Sequence, residues 1–332
     1  MTAAVIGAGA WGTALACVLA GNGHKTYLWC RRAQRAEELV KTRCNPRLPG
    51  CILPENVIPT ADPACVQDCD LVVIASPSSF IRSVCRAVAP FLKQGTVLVS
   101  VTKGIEQDTL LRMSQVVEQE CGGTVVALSG PCHAEEVAQN LPTGCVAACE
   151  DQALAEFVQD AFMSESFRVY TSPDIVGAEL GGALKNVIAL CAGVLDGMNL
   201  GDNTRAMLMT RGLTEIARLG VSLGAHKETL AGLSGIGDLI VTCTSMHSRN
   251  HRAGILIGQG KTPQEAMEEV GAVVEGYYAA GSAYALGQKQ HIDMPIVRAA
   301  HQVLYQGADV HHVIQELMNR RRKAEPEDAG WN

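Results

Sequence analysis

Val5-Ile6-Gly7-Ala8-Gly9-Ala10-Trp11-Gly12 stands near the head of the chain and reads as a strand that breaks into a glycine turn and opens a helix. In that context G-x-G-x-x-G is the dinucleotide-binding fingerprint. Gly7 allows the tight turn, Gly9 lets backbone amides approach a pyrophosphate, and Gly12 lets the helix pack on its strand. The helix N-terminus adds unpaired N–H groups and the positive end of a dipole. The second strand, residues 25–30, leads into Arg31-Arg32, with Arg35 a turn further on. An acidic residue at that place would bind a ribose 2′-hydroxyl, whereas arginines suit a 2′-phosphate. The cofactor expected is therefore NADPH or NADH, with NADPH favoured.

Working outward, apolar runs recur at residues 71–74, 97–101, 125–128 and 145–148 with helical or loop stretches between them. Short Val/Leu/Ile runs alternating with helices predict a Rossmann-like, doubly wound parallel sheet covered on both faces. Ligands of such sheets bind beyond the C-terminal ends of the strands. Ser76-Pro77, Thr102-Lys103-Gly104 and Ser129-Gly130-Pro131 fall there, beside the glycine loop. From Ser172-Pro173-Asp174 the rhythm turns helical, with Ser172 read as the N-cap and Pro173 as the first helical residue. Met209, Leu213, Ile216, Ala217 and Gly220 then follow helical spacing, as do Val310, Val313, Ile314, Leu317 and Met318. The division expected is an α/β dinucleotide domain, 1–172, and an all-α substrate domain, 173–332. Arg320-Arg321-Arg322-Lys323 reads as a solvated helix end followed by a frayed tail.

A chain of 332 residues, 47% apolar and 18% charged, has ample material for two cores. The net charge of −7 argues against general nucleic-acid or membrane-surface binding. An anionic ligand therefore needs locally concentrated Lys and Arg. The thirteen cysteines are odd in number, scattered, and without a C-x-x-C pair. Cys17 and Cys191 lie in apolar stretches, where Cys acts as a small hydrophobe. The expectation is a reduced cytoplasmic protein with no signal peptide, no structural disulfide and no metal. No uninterrupted apolar run is of bilayer length.

Between Ile175 and Leu195 almost every residue is apolar or glycine, yet Lys185-Asn186 sits in the middle. Burying an unpaired ammonium costs several kcal/mol or lowers its pKa. A lysine that snorkels to the surface is the competing reading. Glycines at 181, 182 and 193 favour the buried one, which suits proton transfer near neutral pH. Asp238, between glycines and an apolar run, needs a cation, and Lys185 is the natural partner. Arg249-Asn250 forms a donor-rich turn fit for a phosphate. Together with the glycine loop, these residues suggest hydride transfer to a small phosphorylated carbonyl compound. A silent dinucleotide sensor would have no need of Lys185 and Asp238; a dehydrogenase of the same two-domain plan that acts on a sugar acid or a hydroxyacyl thioester is the nearer alternative.

The stretches 7–12, 102–104, 129–131, Gly182-Ala183-Leu184-Lys185-Asn186, Asn203-Thr204, Thr210-Arg211-Gly212-Leu213, Gly237-Asp238-Leu239 and Ser248-Arg249-Asn250 closely resemble the bacterial NAD(P)-dependent glycerol-3-phosphate dehydrogenases, essentially over the whole chain. The resemblance implies reversible reduction of dihydroxyacetone phosphate to sn-glycerol 3-phosphate, the backbone of glycerophospholipids. It implies Lys185 as general acid/base, with Lys103 and Asp238 beside it. Substrate contacts by the same resemblance are Lys103, Gly130, Cys132, Lys185, Asn186, Asp238, Ser248, Arg249 and Asn250. Cofactor contacts are Gly7, Gly9, Ala10, Trp11, Gly12, Arg31, Arg32, Lys103, Ala134, Arg249, Val273 and Glu275. By electrostatics, Lys103 lowers the pKa of Lys185 and Asp238 raises it. One departure is Cys132-His133, where the family carries a hydroxyl residue and Phe; a thiol is the weaker donor, and His133 receives no role. The Ala/Gly-rich helices of the second half suit a homodimer seam.

Overall fold

The computed structural model describes residues 1–322, 324 and 325. Its first half runs β1 (Thr2–Ile6), α1 (Ala10–Gly21), β2 (Lys25–Trp29), α2 (Ala33–Thr42), β3 (Val57–Thr60), β4 (Leu71–Ile74), α3 (Ile81–Val88) and β5 (Val97–Ser100). Then come α4 (Met113–Cys121), β6 (Val125–Ser129), α5 (Ala134–Ala138), β7 (Thr143–Ala148), α6 (Gln152–Phe162) and β8 (Phe167–Ser172). The eight strands lie in the order β3-β2-β1-β4-β5-β6-β7-β8. The first six form the doubly wound arrangement with its switch point between β1 and β4. Separate buried clusters cover the two faces. One holds Leu15, Leu19, Leu28, Phe162 and Phe167, and the other Ile6, Ile74, Ile81, Met113 and Val117.

The sheet is not parallel throughout. β7 runs antiparallel to β6, with Ser129 opposite Val146, and β8 is parallel to β7. A parallel return needs a crossover that carries the chain back to the far edge. Here α5 has only five residues, so the chain turns along the C-terminal rim and reverses. Two strands escape the apolar-run reading. β3 is an edge strand containing Pro59, and proline demotes a strand signal. β8 alternates buried and exposed side chains and so lacks a continuous apolar run.

The second half is helical in every described element: α7 (Ile175–Gly197), α8 (Gly201–Ser222), α9 (Lys227–Leu230), α10 (Asp238–Thr244) and α11 (Arg249–Gly258). It continues through α12 (Pro263–Val270), α13 (Glu275–Lys289), α14 (Pro295–Gln306) and α15 (Val310–Met318). Ser172 belongs to β8 and does not cap α7. The cap is Asp174, whose Oδ1 accepts from Gly177 N at 2.7 Å, while Ser172 Oγ accepts from Asp174 N. Asp174 takes the cap because its carboxylate reaches an amide of the first helical turn, Gly177 N, whereas the Ser172 hydroxyl reaches only Asp174 N. By length and composition α7 is sufficient to cross a membrane, but 89% of its most apolar window is buried in the protein. It is the central helix of the second core, around Leu184, Ile188 and Leu190. All thirteen cysteines are free thiols. Beyond α15, Arg320 is not merely solvated, since it donates to Asp293 at 2.7 Å; Lys323 lies outside the described residues.

Candidate active site

The glycine turn takes the shape its spacing demands. Gly7 has φ +129°, and a Cβ there would lie 2.5 Å from Ala75 O. At Gly12 a Cβ would meet Gly7 O at 2.0 Å, whereas nothing lies within 4 Å of one at Gly9. The turn is thus closed where it packs and open where a pyrophosphate would approach. Gly9 caps α1 with no side-chain bond, which leaves the first amides to a ligand. The indole Nε1 of Trp11 is buried without a partner, as are Ser76 Oγ and Ser129 Oγ on the same rim. Such orphaned donors fit a bound dinucleotide. Arg31 and Arg32 are exposed at the end of β2, and the Arg31 guanidinium lies 5.6 Å from the centre of the Phe80 ring. Arg35 is taken: it pairs with Glu38 and donates to Asn45.

Across the rim, α7 and α10 supply the reacting groups. Gly182 lets α7 approach the sheet, because a Cβ there would lie 2.7 Å from Ser129 Oγ and 3.4 Å from Lys103 Cγ. Three residues later Lys185, 6% exposed, donates to Asp238 Oδ1 at 2.5 Å and to Thr242 Oγ1 at 2.6 Å. Lys103, from the loop after β5, donates to the other Asp238 oxygen at 2.6 Å and to Gly130 O at 2.8 Å. The buried carboxylate is therefore shared by two ammonium groups from the two halves. Burial pushes the Lys185 pKa down to about 8; Asp238 opposes the shift and Lys103 assists it. For Lys103, burial pulls the pKa down, but Asp238, Cys132 and Cys145 outweigh it and the net shift is upward. Each lysine has three N–H groups and gives two of them to the protein, so one remains on each.

The third wall is the start of α11. Ser248 is its N-cap and accepts from His251 N. Asn250 donates to Asn186 Oδ1 at 2.9 Å and accepts from Gly276 N at 2.8 Å, a pairing that fixes both amides. Arg249 is exposed and joins no ion pair among the described residues. Glu275 opens α13 and accepts from Ser78 N and Oγ, so it ties the helical half to the loop after β4. Burial raises its pKa. Val273 is half-buried two residues ahead, and Ala134 is buried at the head of α5. Cys132 is half-buried with its Sγ 3.8 Å from Gly144 O.

Models of the NAD-dependent glycerol-3-phosphate dehydrogenase N-terminus and C-terminus match residues 2–155 and 174–315. The chain belongs to this family. A glycerol-3-phosphate dehydrogenase (NAD(P)+) of Moorella thermoacetica is 54% identical over 330 residues, 99% of this chain and 98% of that one. One from Agathobacter rectalis is 50% identical over 98% of each. The crystal structure of glycerol-3-phosphate dehydrogenase from Coxiella burnetii superposes with a TM-score of 0.92 at 38% identity, covering 96% of this chain and 99% of that one.

In this dehydrogenase chain Lys185 pairs with Asp238, as the sequence setting suggested; Lys103 joins the same carboxylate, and Asn186 and Asn250 pair with each other. Two participants went unassigned in the sequence. Thr242 lies four residues after Asp238, hence on the same helix face, and that spacing was the available signal. Ser78 carries no signal, because only the fold brings it to Glu275. His133, given no role, caps α5 without a side-chain bond and sits 3.4 Å from Val241 O.

Proposed function

We propose that the chain catalyses reversible, NAD(P)H-dependent reduction of dihydroxyacetone phosphate to sn-glycerol 3-phosphate, with the reaction placed where Lys103, Lys185 and Asp238 meet. The observation that carries the reading is the shared carboxylate: it orients two lysines from the two halves and leaves one N–H on each. When bound, the reduced nicotinamide supplies the hydride. Lys185 holds the proton at Nζ for the carbonyl oxygen; its N–H bond breaks as the new O–H bond forms, and water restores the proton. Asp238 and Thr242 fix the position of Nζ, and Lys103 adds positive charge where the oxygen becomes negative. Arg249, with Ser248 and Asn250, holds the phosphate, and Gly130, Cys132 and Asn186 complete the substrate wall. The glycine turn with Ala10 and Trp11 takes the pyrophosphate. Arg31 and Arg32 take the adenosine end, and Ala134, Val273, Glu275 and Arg249 line the rest of the cofactor site.

The division into 1–172 and 173–332 follows this split of labour. A homodimer through the helical half and a cytoplasmic location, which suits thirteen free thiols, belong to the same proposal. The test is absorbance at the reduced nicotinamide band with dihydroxyacetone phosphate, run with NADPH and with NADH. Turnover is expected with both, and kcat/KM higher with NADPH. Cofactor binding without turnover on any phosphorylated ketose would overturn the reading.

A further inference from the structure

The helices α7 and α11 meet backbone to backbone. Added Cβ atoms at Gly193 and Gly197 of α7 would lie 2.0 Å from His251 O and 2.3 Å from Ile255 O. At Gly254 and Gly258 of α11 they would lie 2.0 Å from Leu190 O and 2.3 Å from Val194 O. A seam of small residues gives close packing, but it offers few side-chain ridges to lodge in grooves and set the angle of one helix on the other. Rotation and slide of α11 must then be fixed by directional contacts. Asn186–Asn250 is one, at the cleft. The other lies one residue on: His251, 3% exposed, places Nε2 2.8 Å from Asp196 Oδ2. Asp196 is itself held, since Arg205 of α8 donates from Nη1 to both its oxygens at 2.9 Å.

We infer that Asp196 and His251 are positioning residues, which lock α11 on α7 so that Arg249 and Asn250 present their side chains to the phosphate end of the cleft. Asp196 lies eleven residues beyond Lys185 on one helix, roughly 16 Å at the helical rise. It therefore cannot touch the reacting carbonyl and acts through α11. The three residues ahead of His251 are all assigned to substrate, and His251 N closes the cap on the first of them, Ser248. A small rotation at His251 thus carries Arg249 and Asn250 away together, and a displacement of about 1 Å is enough to cost up to ~10²-fold in such sites. The inference rests on the reading of Arg249 and Asn250 as substrate contacts.

The test compares His251→Phe, which keeps a ring without the N–H, with His251→Gln, which keeps a donor near the place of Nε2. His251→Phe is expected to raise KM for dihydroxyacetone phosphate about ten-fold with kcat within about two-fold, and His251→Gln to stay near native. Asp196→Leu, which keeps nearly the same shape and removes both acceptors, is expected to follow His251→Phe and carries the comparison if the phenyl ring upsets folding. The double variant should be no worse than either single one, as for partners in one contact. Arg249→Ala is measured alongside. If it raises KM while His251→Phe and Asp196→Leu leave KM native, the positioning role is overturned, whatever their melting temperatures. If Arg249→Ala itself leaves KM native, the substrate assignment has failed and takes the inference with it.

Discussion

At the scale of single residues, Lys185 decides the chemistry. Burial holds its pKa near 8 in the free protein despite Asp238, and kcat/KM reports groups of the free enzyme. Ketone reduction needs the protonated lysine, so kcat/KM for dihydroxyacetone phosphate should fall as pH rises through about 8. Glycerol 3-phosphate oxidation needs the neutral amine and should rise through the same pH. In Lys185→Ala, kcat should drop by about 10² or more and both limbs near pH 8 should vanish; pH–rate profiles in the two directions check this. Arg31 and Arg32 are both exposed with no ion pair among the described residues, unlike Arg35. Replacing both with Ala should weaken NADPH roughly ten-fold or more, the order of one lost charge-assisted contact, and NADH far less. Fluorescence titration gives the two constants, and equal losses would refute a 2′-phosphate role. The Lys185–Asp238 pair was legible because an ionised group in an apolar, glycine-rich run demands a partner. Thr242 was not, because a threonine in a helix reads equally well as filler.

At the scale of elements, the sheet shows where sequence patterns stop. Continuous apolar runs marked β1, β4, β5, β6 and β7, but a run does not state its direction. The reversal of β7 depends on the shortness of α5, which has no hydrophobic signature of its own. The contact between α7 and α11 was half visible: the glycines of α7 announced a close neighbour, without saying which helix supplied it. That contact is tested by Gly254→Ala. The added methyl would lie 2.0 Å from Leu190 O, a backbone atom that cannot swing aside. The helices must separate, at a cost of about 1–3 kcal/mol, seen as a lower melting temperature. Gly21→Ala, at the end of α1 with nothing within 4 Å, should instead gain about 0.4–1 kcal/mol through the unfolded chain. A native-like Gly254→Ala would mean that the seam is looser than its geometry.

At the scale of the whole molecule, the sheet half and the helical half each have large cores of their own, touch through a small apolar cluster of Ala127, Val146 and Ala148 with Ile175 and Ala178, and are joined by buried polar bridges. Lys103–Asp238 and Ser78–Glu275 lie in the cleft, and Ser282 donates to Ile105 O at 3.1 Å. Glu179, which in the sequence is only a second charge on a different turn of the Lys185 helix, makes the fourth. It is 7% exposed, pairs with Arg112, and accepts from Ser114 N at 2.7 Å and Ser114 Oγ at 2.6 Å at the head of α4. No pattern of apolar residues could reveal that bridge, since its partners lie more than sixty residues apart in the chain. Glu179→Ala would leave the buried helix-terminal amide of Ser114 without a partner and the half-buried Arg112 guanidinium with only Ser114 Oγ. Leaving a buried donor without its acceptor costs about 1–3 kcal/mol, here at the joint between the halves. The expected result in calorimetry is a lower melting temperature and a transition that broadens or splits in two, as the halves unfold less cooperatively. Glu179→Gln keeps an acceptor for Ser114 N and should lie between the two. A single sharp transition at the native temperature in Glu179→Ala would mean that the apolar cluster and the other bridges hold the halves together without it.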